Sequence, residues 1–542
     1  FTIIIAKIVD LESGPFTAIA QGNRIELGNV TARGAQVTLT AAAGTVKAGD
    51  VVLTPGRLTI TAGVVLQLGK LTATGSVANP AVVSLTAAGI TALDVDLTDC
   101  SLDATATNDI IGFGNVTARS KSDVTLTANA AAGKITLGNL TVLGPKATLA
   151  TTGEIVVKDV VLGHGLLQAT AGADITLGAV SAADVSSAVL DAIGNILMKG
   201  VGLAQSSLDA TAGGGIETDE LMAGASTLNI TAKTGNILVE SIGAGNGAVV
   251  KLIAGVTPGL GGNIVAGGDV SLNVGTLVVT ANNGSIALGP VTGIGKSSVT
   301  LTAGTHIAAG GATLDDSGFG ATAASIALGA VKASKGSTAA LAATGYIAVT
   351  GSVTVEELST FSATAGTGSI SLGAVSVSKG SGATLNAGGD ILVSGSVSLS
   401  EVGTLNATAA NGNIAMGAVN AVHASTLTLK ALVAGASITL ASVTANSFST
   451  VTLEALGANG SISLGNVTAG GVVTLKAGGN IGTEAVTLNG GTLGATATAG
   501  NITLGIPTVS VISLDAGTLN ATATAGNIAL VAVSGIAKSK VT

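Results

Sequence analysis

Residues Ile370 to Ala387 read ISLGAVSVSKGSGATLNA, and the order of apolar and polar residues in this stretch decides the fold. The spacing sends Ile370 and Leu372 inward, turns the chain at Gly373, and sends Val375 and Val377 inward again. A polar loop from Ser378 to Gly382 follows, and then Ala383, Leu385 and Ala387 point in. Alternation with a period of two is the mark of a strand buried on one face. Ser371, Ser376, Thr384 and Asn386 face solvent, and three short strands result. In the third strand the outward set is often threonine, as at Thr38 and Thr40, Thr125 and Thr127, or Thr300 and Thr302. A β-branched hydroxyl side chain suits an exposed strand face.

The same unit recurs along the chain, often as Gly-Asn-Ile-x-Leu-Gly-x-Val. Its first inward residue can be followed through Ile25, Val46, Leu66, Ile90, Ile111, Ile135, Ile155, Ile175, Ile196, Ile216, Ile237 and Ile264. It continues through Ile286, Ile307, Ile326, Ile347, Ile370, Ile391, Ile414, Ile438, Ile462, Ile481, Ile502 and Ile528. These 24 anchors lie 19 to 27 residues apart and average about 22. Helix-pair and propeller repeats need about 33 residues or more, so one turn of a β-solenoid is the natural unit. The expected fold is all-β, a single long parallel β-solenoid of 24 coils with three strands each. Around Ile326 to Ile414, coils reading Ile-x-Leu-Gly-x-Val alternate with coils reading Ile-x-Val-x-Gly-x-Val, so the true repeat there is a pair of coils.

The corner before the anchor is Gly followed by Asn or Asp, as at Asn195, Asn236, Asn413, Asn501, Asp174 and Asp390. These side chains tolerate left-handed backbone angles and bond locally, so the corners are expected to stack as a ladder.

Composition fits this reading. Of 542 residues, 80 are glycine, while charged residues reach 10% and aromatics 1%. With 47% hydrophobic residues the chain can still bury a core, one made of small and β-branched side chains. The net charge of -8 and the four scattered arginines, Arg24, Arg33, Arg57 and Arg119, argue against nucleic-acid binding, which needs a positive surface. No run approaches the ~18 apolar residues of a membrane span. A lone Cys100 excludes an intrachain disulfide and reads as a small buried hydrophobe. Because the sequence starts at Phe1, it is expected to have lost a leader or to belong to a longer chain.

Residues 1–20 do not follow the repeat and are expected to form an N-terminal cap or a strand that joins subunits; residues 21–542 form the array. The array is expected to be open at its C-terminus, because Lys540, Val541 and Thr542 match the start of a third strand. One joining scheme follows. Phe1, Thr2, Ile3, Ile4, Ile5 and Ala6 of one chain complete the strand left at Val541 and Thr542 of the next, giving a head-to-tail filament.

With Gly-Asn-Ile-x-Leu-Gly coils and Thr-Leu-x-Ala third strands over about residues 21 to 542, the chain resembles the repeat regions of filamentous-haemagglutinin-like exoproteins. The resemblance implies a secreted, cell-surface, right-handed parallel β-helix used for adhesion or for building fibres. That family's secretion-domain signature carries Asn-Pro-Asn sequences, and only Asn79-Pro80 comes near.

Catalytic material is sparse. Polysaccharide-cleaving β-helices cluster Asp, Arg or Lys along a groove with aromatic platforms. Here Asp315-Asp316 is the only pair of adjacent aspartates, and His164, His306 and His423 are far apart, without zinc spacing. No enzyme activity, metal or cofactor is expected. Ten Asn-x-Ser/Thr sequons occur, and Asn29, Asn115, Asn139 and Asn466 share one repeat position, so sugars there would line a single edge. The expectation is a structural subunit of an extracellular filament, sheath or surface fibre whose main partner is itself. The alternative is a repeat segment of a large adhesin that binds surface or host ligands.

Overall fold

A computed structural model describes residues 2–4, 7–506, 511–536 and 538–542. Among these the regular structure is all strand, arranged as a parallel β-solenoid of about 25 coils. The chain divides into two compact units, Phe1–Gly267 with Ala281–Asn283, and Gly268–Thr280 with Gly284–Thr542. Each unit is a stack of coils in its own right.

Stacking follows the anchors. In the first unit Ile135, Ile155, Ile175 and Ile196 are successive Cα partners in parallel strands. In the second, Ile326 pairs with Ile347, Ile347 with Ile370 and Ile370 with Ile391. These four are at most 1% exposed. Burying an isoleucine side chain contributes about 1.5–3 kcal/mol, and here each does so only because another coil lies on it. The coil that opened the sequence reading forms strands Ile370–Leu372, Val375–Val377 and Gly382–Ala387, with the expected residues inward.

Three inward-facing runs per coil hold throughout, but the first two often merge. Lys134–Leu143 is one strand in which burial alternates, pauses at Gly138 and Asn139, and resumes one step out of phase at Leu140. That pause is the corner. In the alternating coils the corner gains a residue, and the gain is a glycine for a steric reason. A Cβ on Gly351 would lie about 3.0 Å from the Ala330 backbone beneath it, and one on Gly395 would meet the Ala374 backbone at 2.8 Å.

The array also begins earlier than the sequence suggests. Thr2–Ile4, Ile8–Leu11 and Gly14–Ala20 pair in parallel with Arg24–Glu26, Asn29–Arg33 and Ala35–Ala41, and Ile3 is the Cα partner of Ile25. These residues are a coil of their own. Their polar break at Asp10, Glu12 and Ser13 and the proline at Pro15 hid it, because a proline within a run argues against a paired strand.

The Asn and Asp corners do stack, though not through left-handed backbone, since none of the named corner residues has a positive φ. Instead each side-chain oxygen accepts the backbone N–H of the next coil. Asn195 N–H donates to Asp174 Oδ1 at 2.6 Å, and Gly215 N–H to Asn195 Oδ1 at 2.8 Å. Asn413 N–H donates to Asp390 at 2.6 Å and Asn527 N–H to Asn501 at 2.8 Å.

Left-handed residues occupy a different corner, the one before the third strand, and recur coil after coil: Gln205, Ala225, Lys335, Lys379 and Glu401 have φ of 49–55°. One or two residues further on comes a buried serine after Gln205, Ala225, Lys335 and Lys379, while Gly403 takes that place after Glu401. Ser297 N–H donates to Ser317 Oγ at 3.2 Å, Ser317 N–H to Ser337 Oγ at 3.0 Å, and Ser337 N–H to Ser359 Oγ at 3.0 Å. Each hydroxyl then donates to a carbonyl of its own turn, as Ser337 does to Ser334 O at 2.5 Å. Cys100 takes a place in this column, 1% exposed, its N–H bonded to Ser122 Oγ and its Sγ 2.9 Å from the Ala73 and Thr98 carbonyls. Burial pushes its thiol up from the usual range, opposed by backbone hydrogen bonding at Thr98, Gly75 and Ala81.

Replacing Ser337 by Ala strands the buried Ser317 N–H. The expected cost is about 1–3 kcal/mol, confined to the neighbouring coils. Native-state hydrogen exchange reads it as faster exchange at Ser317, with protection five coils away unchanged.

Candidate functional site

The surfaces available for function are strand faces, corners and the outermost coils. On the faces, outward side chains form columns because the register holds. Thr408, Lys430, Glu454, Lys476 and Thr496 are successive Cα partners. Within this column Glu454 is held between Lys430 at 3.3 Å and Lys476 at 3.0 Å, with a side chain 12% exposed. The Lys476 hydrogen bond, opposed by burial and helped by Lys430, holds its carboxyl below the usual range. The triad clamps three coils together on a face otherwise of threonine.

The first unit holds a concavity of about 490 Å³ lined by Asp174, Thr176, Asn195, Leu197, Glu217 and Leu238. Asp174 is committed to the corner ladder. That leaves Glu217 between two leucines, its Cα neighbours Leu197 and Leu238. The second unit has a more open hollow of about 470 Å³, whose lining includes Thr439, Ser463, Thr483 and Glu484. Each places one uncommitted carboxylate in a setting of hydroxyl and aliphatic groups, which offers binding contacts without a paired acid and base.

The residues weighed for chemistry are dispersed. Asp315 is bound by Lys335 at 2.7 Å. His306 Nδ1 lies 2.9 Å from Ser325 Oγ, and its ring is 6.5 Å from Tyr346 two coils on. His164 and His423 are left-handed corner residues. Among the described residues no three His, Cys, Asp or Glu side chains are grouped to hold a metal, and no helix is long and apolar enough to cross a membrane.

Of the shared sequons, Asn29, Asn115 and Asn466 are exposed and Asn139 is half-buried. Asn29 Oδ1 accepts Asp50 N–H at 3.1 Å and Asn115 Oδ1 accepts Asn139 N–H at 3.0 Å. These amides therefore serve a second corner ladder, after the first strand. Asn139 Oδ1 is buried without a partner.

The two ends expected to join do not share a face. Thr2–Ile4 lies in the anchor column, whereas Lys540–Val541 pairs with Thr518–Ala523 in the third-strand column. Phe1, Ile5 and Ala6 lie outside the described residues. A strand cannot complete another that lies on a different side of the coil, so that pairing is replaced. By strand column, Thr2–Ile4 corresponds to Ile528–Leu530 and Gly14–Ala20 to Lys540–Val541. The last coil presents Ile528 at 45% exposure, although the anchors before it are at most 1% exposed from Ile438 onward, together with Val533 at 42%, whose partner Ile512 is buried.

No family model, curated protein or solved structure matches the chain.

Glutamate 454 gives a pH signature. A carboxyl depressed by folding contributes stability above its unfolded pKa and loses it as pH falls through its folded pKa. Coils around Glu454 are therefore expected to lose about 1 kcal/mol of protection on acidification below the ordinary carboxylate range, less in high salt because both lysines are half-exposed. Glu454→Gln removes that pH dependence, as hydrogen exchange at Leu453 to Ala455 would read.

Proposed function

We propose that the chain is a non-catalytic structural segment of an extracellular fibre, sheath or surface filament, whose coils stack end to end on those of another copy. One observation carries the reading: the outermost coils offer the same parallel edges and aliphatic columns that hold every interior coil in place. An open edge beside exposed core residues is a template for another chain. Charge supports a head-to-tail sense, with Asp10 and Glu12 at one end and Lys538 and Lys540 at the other. Pro15 lacks a donor in the outermost third strand, so the other two strand columns carry most of such a joint.

The adhesin reading rests on the resemblance to filamentous-haemagglutinin-like repeats and on the two hollows, which suit a hydroxyl-rich or apolar ligand. It treats the same edges as the place where further coils of a longer chain continue. Electron microscopy separates the two. A fibre subunit grows regular filaments from purified chain at moderate concentration, and Ile528→Lys with Val533→Lys, both in inward columns of the last coil, stops the growth without loss of strand content. Short separate rods at every concentration would support the adhesin segment instead.

A further inference from the structure

The left-handed corner before the third strand carries a pattern that the stacking of coils does not require. Backbone hydrogen bonds tie its residues into columns: Gly336 N–H to Glu357 O at 2.8 Å, Leu358 N–H to Lys379 O at 3.1 Å, Gly380 N–H to Glu401 O at 2.8 Å, and Val402 N–H to His423 O at 3.0 Å. The outer column reads Lys296, Asp316, Lys335, Glu357, Lys379 and Glu401, alternating in charge over six successive coils, with His423 next. Beside it runs a second column in which glycine or alanine alternates with a large apolar residue: Gly336, Leu358, Gly380, Val402, Ala424 and Phe448.

The apolar members of this second column are costly where they stand. Leu358, Val402 and Phe448 have φ of 61°, 65° and 64°, a region that β-branched and bulky residues avoid. They are also 75%, 60% and 91% exposed, so most of each side chain is left uncovered by its own chain, Leu358 alone reaching over Gly380 of the next coil. Strain of this kind persists where something outside the local packing uses it.

We infer that this corner is a lateral pairing seam for a second copy of the same chain, lying antiparallel about a two-fold axis between the coils of Lys379 and Glu401. Both patterns become complementary under that one operation. Val402 meets Gly380 of the second copy, Leu358 meets Ala424 and Phe448 meets Gly336, so every knob faces a gap. Lys379 faces Glu401 and Glu357 faces His423, so no like charges meet. Within its own chain Lys379 is bonded to Glu357 at 3.0 Å, while Glu401 has no ion pair among the described residues and is open to the second copy's lysine. An isologous contact is self-complementary in this sense, and two-fold pairs are the commonest assembly. Six coils span about 24 Å, which places the seam among small, reversible contacts. Because the seam is lateral, it stands or falls separately from end-to-end joining.

The test uses the full chain carrying Ile528→Lys and Val533→Lys, so that end-to-end growth is suppressed. Sedimentation velocity over a rising concentration series is expected to show a reversible dimer. Val402→Asp, fully compatible with an exposed position, and Glu401→Lys each weaken it by about tenfold or more. Lys379→Glu combined with Glu401→Lys restores it. Mixed chains carrying Leu358→Cys and Ala424→Cys cross-link with each other far faster than either does with itself. A monomer at every concentration, a dimer indifferent to Val402→Asp, or cross-linking without that preference would overturn the seam. Filaments of the chain without the end substitutions, imaged separately, report on the fibre reading alone.

Discussion

Each coil lays its aliphatic side chains along one side of strands too short to bury them alone, so the inward face is covered only when another coil lies above it in register. Every other feature of the chain serves that constraint. Period-two alternation keeps Ile, Val and Leu inward. Corners absorb the variation in coil length, which is why anchors 19 to 27 residues apart still stand in one column. Ladders of Asn, Asp and buried Ser give each corner N–H an acceptor in the neighbouring coil. Without them the turns would carry buried, unpaired donors at every level. The stack gains stability one coil at a time.

This constraint shapes what the chain can do. Residues facing outward repeat at the spacing of the coils, so any recognition built here is columnar rather than pocketed. The Lys430, Glu454 and Lys476 triad and the alternating corner of Lys and Glu show that electrostatics on such a surface are arranged along columns. Like charges would otherwise sit about 4.8 Å apart. The proposed fibre fits this geometry, because the end-to-end joining and lateral pairing inferred for it would reuse the spacing at which the coils stack.

Much of the fold was legible because the signal is the hydrophobic period itself, and all 24 anchors fall where the alternation puts them. The first coil escaped notice since Ile3 lacks the Gly-Asn lead, and its strand boundaries sit among Asp10, Glu12 and Pro15. The corner geometry was misplaced. Asn and Asp have the capacity for left-handed backbone, but in Asn195 and Asp390 the side-chain oxygen is worth more as an acceptor for the next coil. The left-handed turns fell instead to residues such as Glu401 and Val402. The serine ladder had a visible trace, a serine just before each third strand at Ser317, Ser337, Ser359 and Ser381. It read as loop because burial of a hydroxyl is not written in its type. The side of the coil that each terminal strand occupies could not be read, since it depends on counting coils through the corners.

The central claim is that successive anchors rise by one strand spacing whatever the number of residues between them. Spin labels at the outward neighbours of the anchors test it directly. With one label at Ala327 and the second at Ala415, Thr439 or Ser463, double electron–electron resonance should give about 19, 24 and 29 Å, a constant step of about 4.8 Å per coil. Distances that scatter, or that scale with the residues intervening, would contradict the stacked coil.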